Sequence, residues 1–166
     1  MKYRIAEEKD FIYIMSLILE IYENLENKDY FAVRSYDIDK MRTLYENNGF
    51  FVICEDDNKI VGYISVVIDI KNKDLLFTTR LENEVAAEIS QIGVLKEYRK
   101  RGIANNLVNL CIEELKRRNK DIKFVFGTVH PENIGSMSTF LKNNFYVYKT
   151  VDIYNGLERN IIIKDL

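Results

Sequence analysis

The sequence predicts an α+β fold on a mixed, mostly antiparallel sheet, and three observations predict it. The hydrophobic period switches along the chain between about 3.6 and about 2 residues, so helices and strands are interspersed. Two β-rich runs, FFVICED and KIVGYISVVIDI, are joined by the polar turn Asp56-Asp57-Asn58 and make a hairpin. One strand–helix–strand unit, Ala86 to Val129, requires a crossover between parallel neighbours, right-handed by the general rule. The chain has 166 residues, 47% hydrophobic and 30% charged. That is globular composition with length for one core, so 1–166 is read as a single domain.

The elements follow in order. Met1 to Ala6 is a short strand, and Asp10 is placed to cap the helix after it. Phe11, Ile14, Met15, Ile18, Ile21, Tyr22 and Leu25 share one buried helical face. A second helix is expected from Asp37 to Asn48, stopping at Gly49. The hairpin comes next, then a polar stretch, Lys71 to Glu84, that carries no periodic signal. AAEISQIGV is a strand, and Ala104, Leu107, Val108, Cys111, Ile112 and Leu115 form the apolar stripe of the crossover helix. KFVFGTV is a strand, Asn133 to Asn143 a helix, FYVYKTV a strand and NIIIK the last one. Asn155-Gly156 suits a turn with positive φ. The count is about seven strands and about four helices.

Composition excludes several classes. The formal net charge is −2, so no global field draws the protein to nucleic acid. The apolar run FIYIMSLILEIY is broken by Glu20 and is too short to span a bilayer. No signal-peptide pattern is present, and the two cysteines, Cys54 and Cys111, lack metal or redox spacing. Buried free thiols, a cytoplasmic location and no metal are the expectations.

The stretch that asks for a function is EYRKRGIANNL, Glu97 to Leu107. Arg99, Lys100 and Arg101 run into Gly102 where the crossover helix begins. The first amides of a helix lack internal partners and sit in the positive end of its dipole, and glycine allows close approach. An anionic ligand, a phosphate above all, suits such a turn. The motif is neither G-x-x-x-x-G-K-[ST] nor G-x-G-x-x-G. It has the form [QR]-x-x-G-x-[GA].

Two segments carry a resemblance: EISQIGVLKEYRKRGIA, Glu88 to Ala104, and VHPENIGSMSTFLKNNF, Val129 to Phe145. With them the chain resembles the GNAT superfamily of acyl-CoA N-acetyltransferases, whose element order agrees with the one above. The resemblance implies acetyl-CoA as co-substrate. Backbone amides from Arg99, Lys100, Arg101, Gly102, Ile103 and Ala104 would hold its pyrophosphate. Ile92 and Val94 would pair their main chains with the pantetheine arm, and Asn133 would reach that arm. Residue chemistry alone explains some of these: Ile92 and Val94 suit a core, and Asn133 suits a helix cap.

The implied chemistry is attack of an amine on a thioester. An alkyl ammonium with pKa about 10.4 must lose a proton first, at a cost of roughly 4–5 kcal/mol at neutral pH. Glu88 stands where many family members place the base; a solvated strand-end carboxylate is the plain alternative. Strict alternation would put Glu88, Ser90 and Ile92 on one face and Gln91 on the other. Many members use a tyrosine to protonate the leaving thiolate, but that cofactor-side position is Phe140 here. Tyr146 or Tyr148 could substitute, or catalysis could proceed without the acid. His130, before Pro131, reads as loop-positioning. A catalytically inactive acyl-CoA sensor is the competing reading. In this family the acceptor walls correspond to Tyr22 to Tyr36 and Tyr148 to Arg159, which suit a small-molecule or peptide amine. No nucleic-acid or membrane partner is expected, and the chain would be a monomer or homodimer.

Overall fold

The computed structural model describes residues 1–31, 38–46, 49–68, 85–153 and 156–166. In chain order these residues form β1 (Lys2–Ile5), α1 (Phe11–Glu23), α2 (Ile38–Glu46), β2 (Gly49–Asp56), β3 (Lys59–Ile68), β4 (Ala86–Val94), α3 (Ile103–Arg118), β5 (Phe124–Val129), α4 (Ile134–Lys142), β6 (Tyr146–Ile153) and β7 (Leu157–Asp165). The strands make one seven-stranded sheet, ordered β1-β2-β3-β4-β5-β7-β6. Only β4 and β5 run parallel, with α3 as their connection. The mixed, mostly antiparallel α+β architecture is therefore present as the sequence implied.

Several local expectations hold for their physical reasons. Asp57 and Asn58 take φ values of 47° and 62°, the pair of positive angles that a tight two-residue hairpin turn requires. Gly156 has φ 91° at the β6–β7 turn. Asn155 and the stretch Lys71 to Glu84 lie outside the described residues. Cys54 and Cys111 are buried free thiols, and burial pushes both pKa values up.

Gly49 opens β2, opposite Val67, and residues 47–48, where the end of α2 was expected, lie outside those described. One expectation is corrected. Asp10 does not cap α1 through its side chain. Its carboxylate instead takes both terminal nitrogens of Arg4, at 2.6 and 2.9 Å, and the Glu7 amide at 2.7 Å. Arg4 also reaches Glu55 at 2.6 Å, so Asp10 ties the α1 entry to β1 and β2. A cation in contact outcompetes a cap, and it holds the Asp10 carboxyl below its usual range.

The sheet has two covered faces. On one, α1 and α2 pack: Phe11 meets Phe51 at 5.8 Å, and Gly93 leaves room for Ile21, which a Cβ there would approach to 2.8 Å. On the other lies α3, with Leu107, Val108, Cys111, Ile112 and Leu115 of the expected stripe buried; Ile103 is buried as well, whereas Ala104 is only half-buried. Each such aliphatic side chain contributes about 1.5–3 kcal/mol by leaving water. α4 covers the same face further along: Lys164 of β7 donates to the Asn143 carbonyl at 2.8 Å.

Candidate functional site

The site begins where the sheet divides. β4 and β5 pair only through Ala86–Phe124, Ala87–Val125 and Glu88–Phe126. Beyond Glu88, β4 continues to Val94 paired, among the described residues, with β3 on one side alone. Leu95 donates its amide to Val61 at 3.0 Å, toward β3. Backbone groups alternate sides along a strand, so those of Val94 and Ile92 point to the open edge. There the Val94 carbonyl accepts from Arg99 Nε at 3.1 Å.

The α3 entry forms a ring of outward amides. Lys100 and Gly102 hold φ of 62° and 78°, and alternating left- and right-handed residues turn successive N–H groups toward one concavity. Arg99's amide is engaged by the Lys96 carbonyl at 3.3 Å. Asn106 makes the first helical bond, to the Gly102 carbonyl at 3.1 Å. The amides of Lys100, Arg101, Gly102, Ile103, Ala104 and Asn105 therefore have no backbone acceptor among the described residues. A Cβ built on Gly102 would meet nothing within 4 Å, so the concavity is open on that side. Arg101 lies over the Tyr98 ring at 4.9 Å, leaving the three cations exposed around the turn.

Glu88 sits at the fork itself, half-buried, opposite Val67 on β3 and Phe126 on β5. The expected facing of its neighbours is corrected. Ser65 pairs with Gln91 and Val66 with Ile89, so Ser90 is an extra residue, a β-bulge. The bulge shifts the alternation by one. Glu88, Gln91 and Gly93 share the α1 face with Val67, Ser65 and Tyr63, whereas Ile89, Ile92 and Val94 face α3. Nothing in the sequence marks the bulge, since no glycine or proline is there.

A fork with a carboxylate at it and a turn of open amides further along form an arrangement able to hold a phosphorylated arm along a strand edge. The decisive comparison agrees: residues 12–145 match the sequence profile of the acetyltransferase (GNAT) family. The chain belongs to the GNAT acetyltransferases. It is 35% identical over 91 residues to an L-2,4-diaminobutyric acid acetyltransferase of Shouchella clausii, 55% of this chain and 44% of that one. It is 32% identical over 100 residues to an uncharacterized N-acetyltransferase of Methanocaldococcus jannaschii, 60% of this chain and 40% of that one. The match thus spans less than half the length of these curated relatives. In fold it resembles the ribosomal-protein-alanine N-acetyltransferase of Brucella melitensis, with TM-score 0.77, 18% identity and full coverage of both chains. A Salmonella typhimurium acetyltransferase crystallised with acetyl-CoA gives 0.71 at 17% identity, over 100% of this chain and 94% of that one.

The remaining GNAT positions have mixed fates. Asn133 caps α4, its Oδ1 accepting from the Ser136 amide at 3.1 Å. Phe140 is 3% exposed and packs edge-on against Phe145 at 5.1 Å, so core packing accounts for its place. His130 Nδ1 accepts the Glu132 amide at 3.2 Å and its ring lies 5.1 Å from Tyr30, the loop-positioning role expected. Tyr146 is an exposed residue of β6, and Tyr148 packs on a small cluster around Phe124 and Phe126.

The two segments that the resemblance names as acceptor walls meet through Arg159, the last residue of the second. Arg159 of β7 is 2% exposed and donates to the Asp29 carbonyl in the turn after α1. Lys28 of that turn lies over Tyr22 at 4.6 Å and donates to the Glu23 carbonyl at 2.9 Å. No local signal could announce a contact across 130 residues. Among the described residues, no helix is long and apolar enough to cross a membrane, and no cluster of three His, Cys, Asp or Glu is placed for a metal.

Proposed function

We propose that residues 1–166 are one catalytic domain that moves an acetyl group from acetyl-CoA to a primary amine, by direct attack within a ternary complex. The carrying observation is the cradle of free amides, Lys100 to Asn105, set against the open β4 edge with Glu88 at the fork. The amides would hold the pyrophosphate through charge-assisted hydrogen bonds of roughly 1.5–3 kcal/mol each. The backbone groups of Ile92 and Val94 would pair with the pantetheine arm as an added strand, with Arg99 Nε yielding the Val94 carbonyl. Asn133 Nδ2 is left to reach the same arm while Oδ1 caps α4.

Acetyl-CoA supplies an activated thioester carbonyl. Glu88, directly or through a water, takes the proton of the incoming ammonium, so that neutral nitrogen forms the new C–N bond as the C–S bond breaks. A positioned base of this kind is worth about 10²–10⁴ in rate. The position where an acid would stand holds Phe140, which has no proton to give. A thiol with pKa about 8.5 leaves acceptably as thiolate. The acceptor class favoured is an amine on an amino acid or peptide, because one relative is named for diaminobutyric acid and another for ribosomal-protein alanine. A cytoplasmic monomer or homodimer, acting without metal or nucleic acid, completes the proposal.

The test combines thermal shift with turnover. Acetyl-CoA should raise the melting temperature by binding the folded state alone. Free thiol should then appear with at least one of a diamino acid, a peptide N-terminus, a lysine or a polyamine. No shift at millimolar CoA sinks the proposal; a shift without transfer to any amine supports the acyl-CoA sensor instead.

A further inference from the structure

The bulge at Ser90 places a second polar side chain beside Glu88. Gln91 lies on the same face of β4, and the β3 partners of the two residues, Val67 and Ser65, are two positions apart. The side chains of Glu88 and Gln91 therefore leave the sheet about 7 Å from one another. Gln91 is also oriented. The hydroxyl of Tyr63, which is fully buried, donates to Gln91 Oε1 at 2.6 Å. Ser65 Oγ reaches the Gln91 main-chain carbonyl at 3.5 Å. With its oxygen held by Tyr63, the amide presents the other end, Nε2, which has no partner among the described residues. Gln91 is half-buried rather than enclosed, so a ligand can meet it.

A primary amide fixed in this way is a donor. Its complement is an oxygen acceptor, not another cation. On the transferase reading the neighbouring Glu88 carboxylate meets the amine nitrogen. A span of about 7 Å between the two strand positions accommodates one small group with the nitrogen at one end and the oxygen at the other. The amino nitrogen and carbonyl oxygen of an α-aminoacyl group are such a pair. Plain alkyl amines and polyamines lack the oxygen.

We propose that Gln91 is an acceptor-specificity residue, whose Nε2 binds a carbonyl or carboxylate oxygen close to the reacting nitrogen, with Tyr63 as the positioning residue that orients it. This rests on the transferase reading with Glu88 as base. The favoured acceptors are then amino acids, their amides and peptide N-termini. A site that hydrogen-bonds an oxygen discriminates against the analogue lacking it, because its own donor is left unpaired.

The experiment compares L-alaninamide with 3-methylbutan-2-amine, which approximates its shape without the carbonyl, in wild type, Gln91→Met and Tyr63→Phe. Intrinsic amine reactivity cancels when the ratio of kcat/KM values is compared between variants. Gln91→Met should lower the alaninamide preference about three- to ten-fold, the range for one neutral hydrogen bond. Free L-alanine, whose oxygen is charged, should lose about ten-fold or more. Tyr63→Phe should lower the preference in the same direction by a smaller factor. Neither variant should move CoA affinity. Equal losses for both amines, or an unchanged ratio in Gln91→Met, overturn the inference. Calorimetric titration of both amines into CoA-saturated protein gives the same comparison without turnover. Acetylation with no oxygen preference leaves the transferase proposal standing and removes Gln91. Tighter alaninamide binding that Gln91→Met abolishes, without transfer, keeps Gln91 and removes the transferase proposal.

Discussion

The proposed cofactor side and the proposed acceptor side of this molecule are built by opposite means. The α3 entry is made from neighbours in sequence: two positive φ angles, a glycine and a helix start within Lys100 to Asn105. Its donors are backbone amides, which any side chain leaves in place. The acceptor side joins Arg159 to Asp29 and Tyr30 to His130, pairs separated by a hundred residues or more. Its geometry depends on side chains and on the whole fold being formed. A backbone site tolerates sequence change except where φ or bulk forbids it. A side-chain site can change its preference with a single substitution.

The sharpest way to break this contrast is at the glycine. Gly102→Glu should lower CoA affinity by about 10³-fold or more, since it sets bulk and negative charge where two or more charge-assisted bonds form. The stability cost should be only about 1–2 kcal/mol, the left-handed penalty of a non-glycine residue, because the Cβ meets nothing. Calorimetric CoA titration beside denaturant unfolding checks both. A variant that binds CoA normally would move the cradle elsewhere.

At the fork, Glu88→Gln should leave CoA affinity nearly unchanged and lower turnover at neutral pH by about 10²–10⁴. The loss should shrink as pH rises, because more of the amine is then already neutral. Superimposable pH–rate profiles for wild type and variant would take Glu88 out of the chemistry. A smaller effect belongs to the far wall. Arg159→Met removes the donor to the Asp29 carbonyl, so the acceptor KM should rise about ten-fold, with a stability loss of about 1–3 kcal/mol. CoA affinity should hold. If it falls in step with the acceptor KM, the two sides are one mechanical unit and the contrast fails.

The same division explains what was legible in the sequence. Element order, the hairpin turn and most of the α3 stripe follow from local periodicity and φ preference, and they stand as read. Ser90 was not legible because a bulge in the middle of a strand needs only one unmatched residue, and any residue serves. Asp10 was misjudged as a cap because Arg4, its stronger partner, acts across a chain reversal. Arg159 stands in the sequence only as the end of an acceptor-wall segment, and only the fold shows that it is enclosed. Asn133 satisfied its local role as a cap, and capping carries no information about a ligand.

The extra residue in β4 has a consequence for how such a domain can diversify. Threading Ser90 into the ladder as an ordinary paired residue would turn Glu88 toward α3, onto the side that Ile92 and Val94 face. Leaving it unpaired keeps Glu88 and Gln91 on the α1 face and Ile92 and Val94 on the other. Residues on the α1 face can then be exchanged without disturbing the layer under α3 or the turn at Gly102. On the proposed function, a library confined to that face would redirect the amine accepted while the grip on the acyl donor is inherited intact. One unpaired residue then makes the acceptor preference a separately adjustable trait.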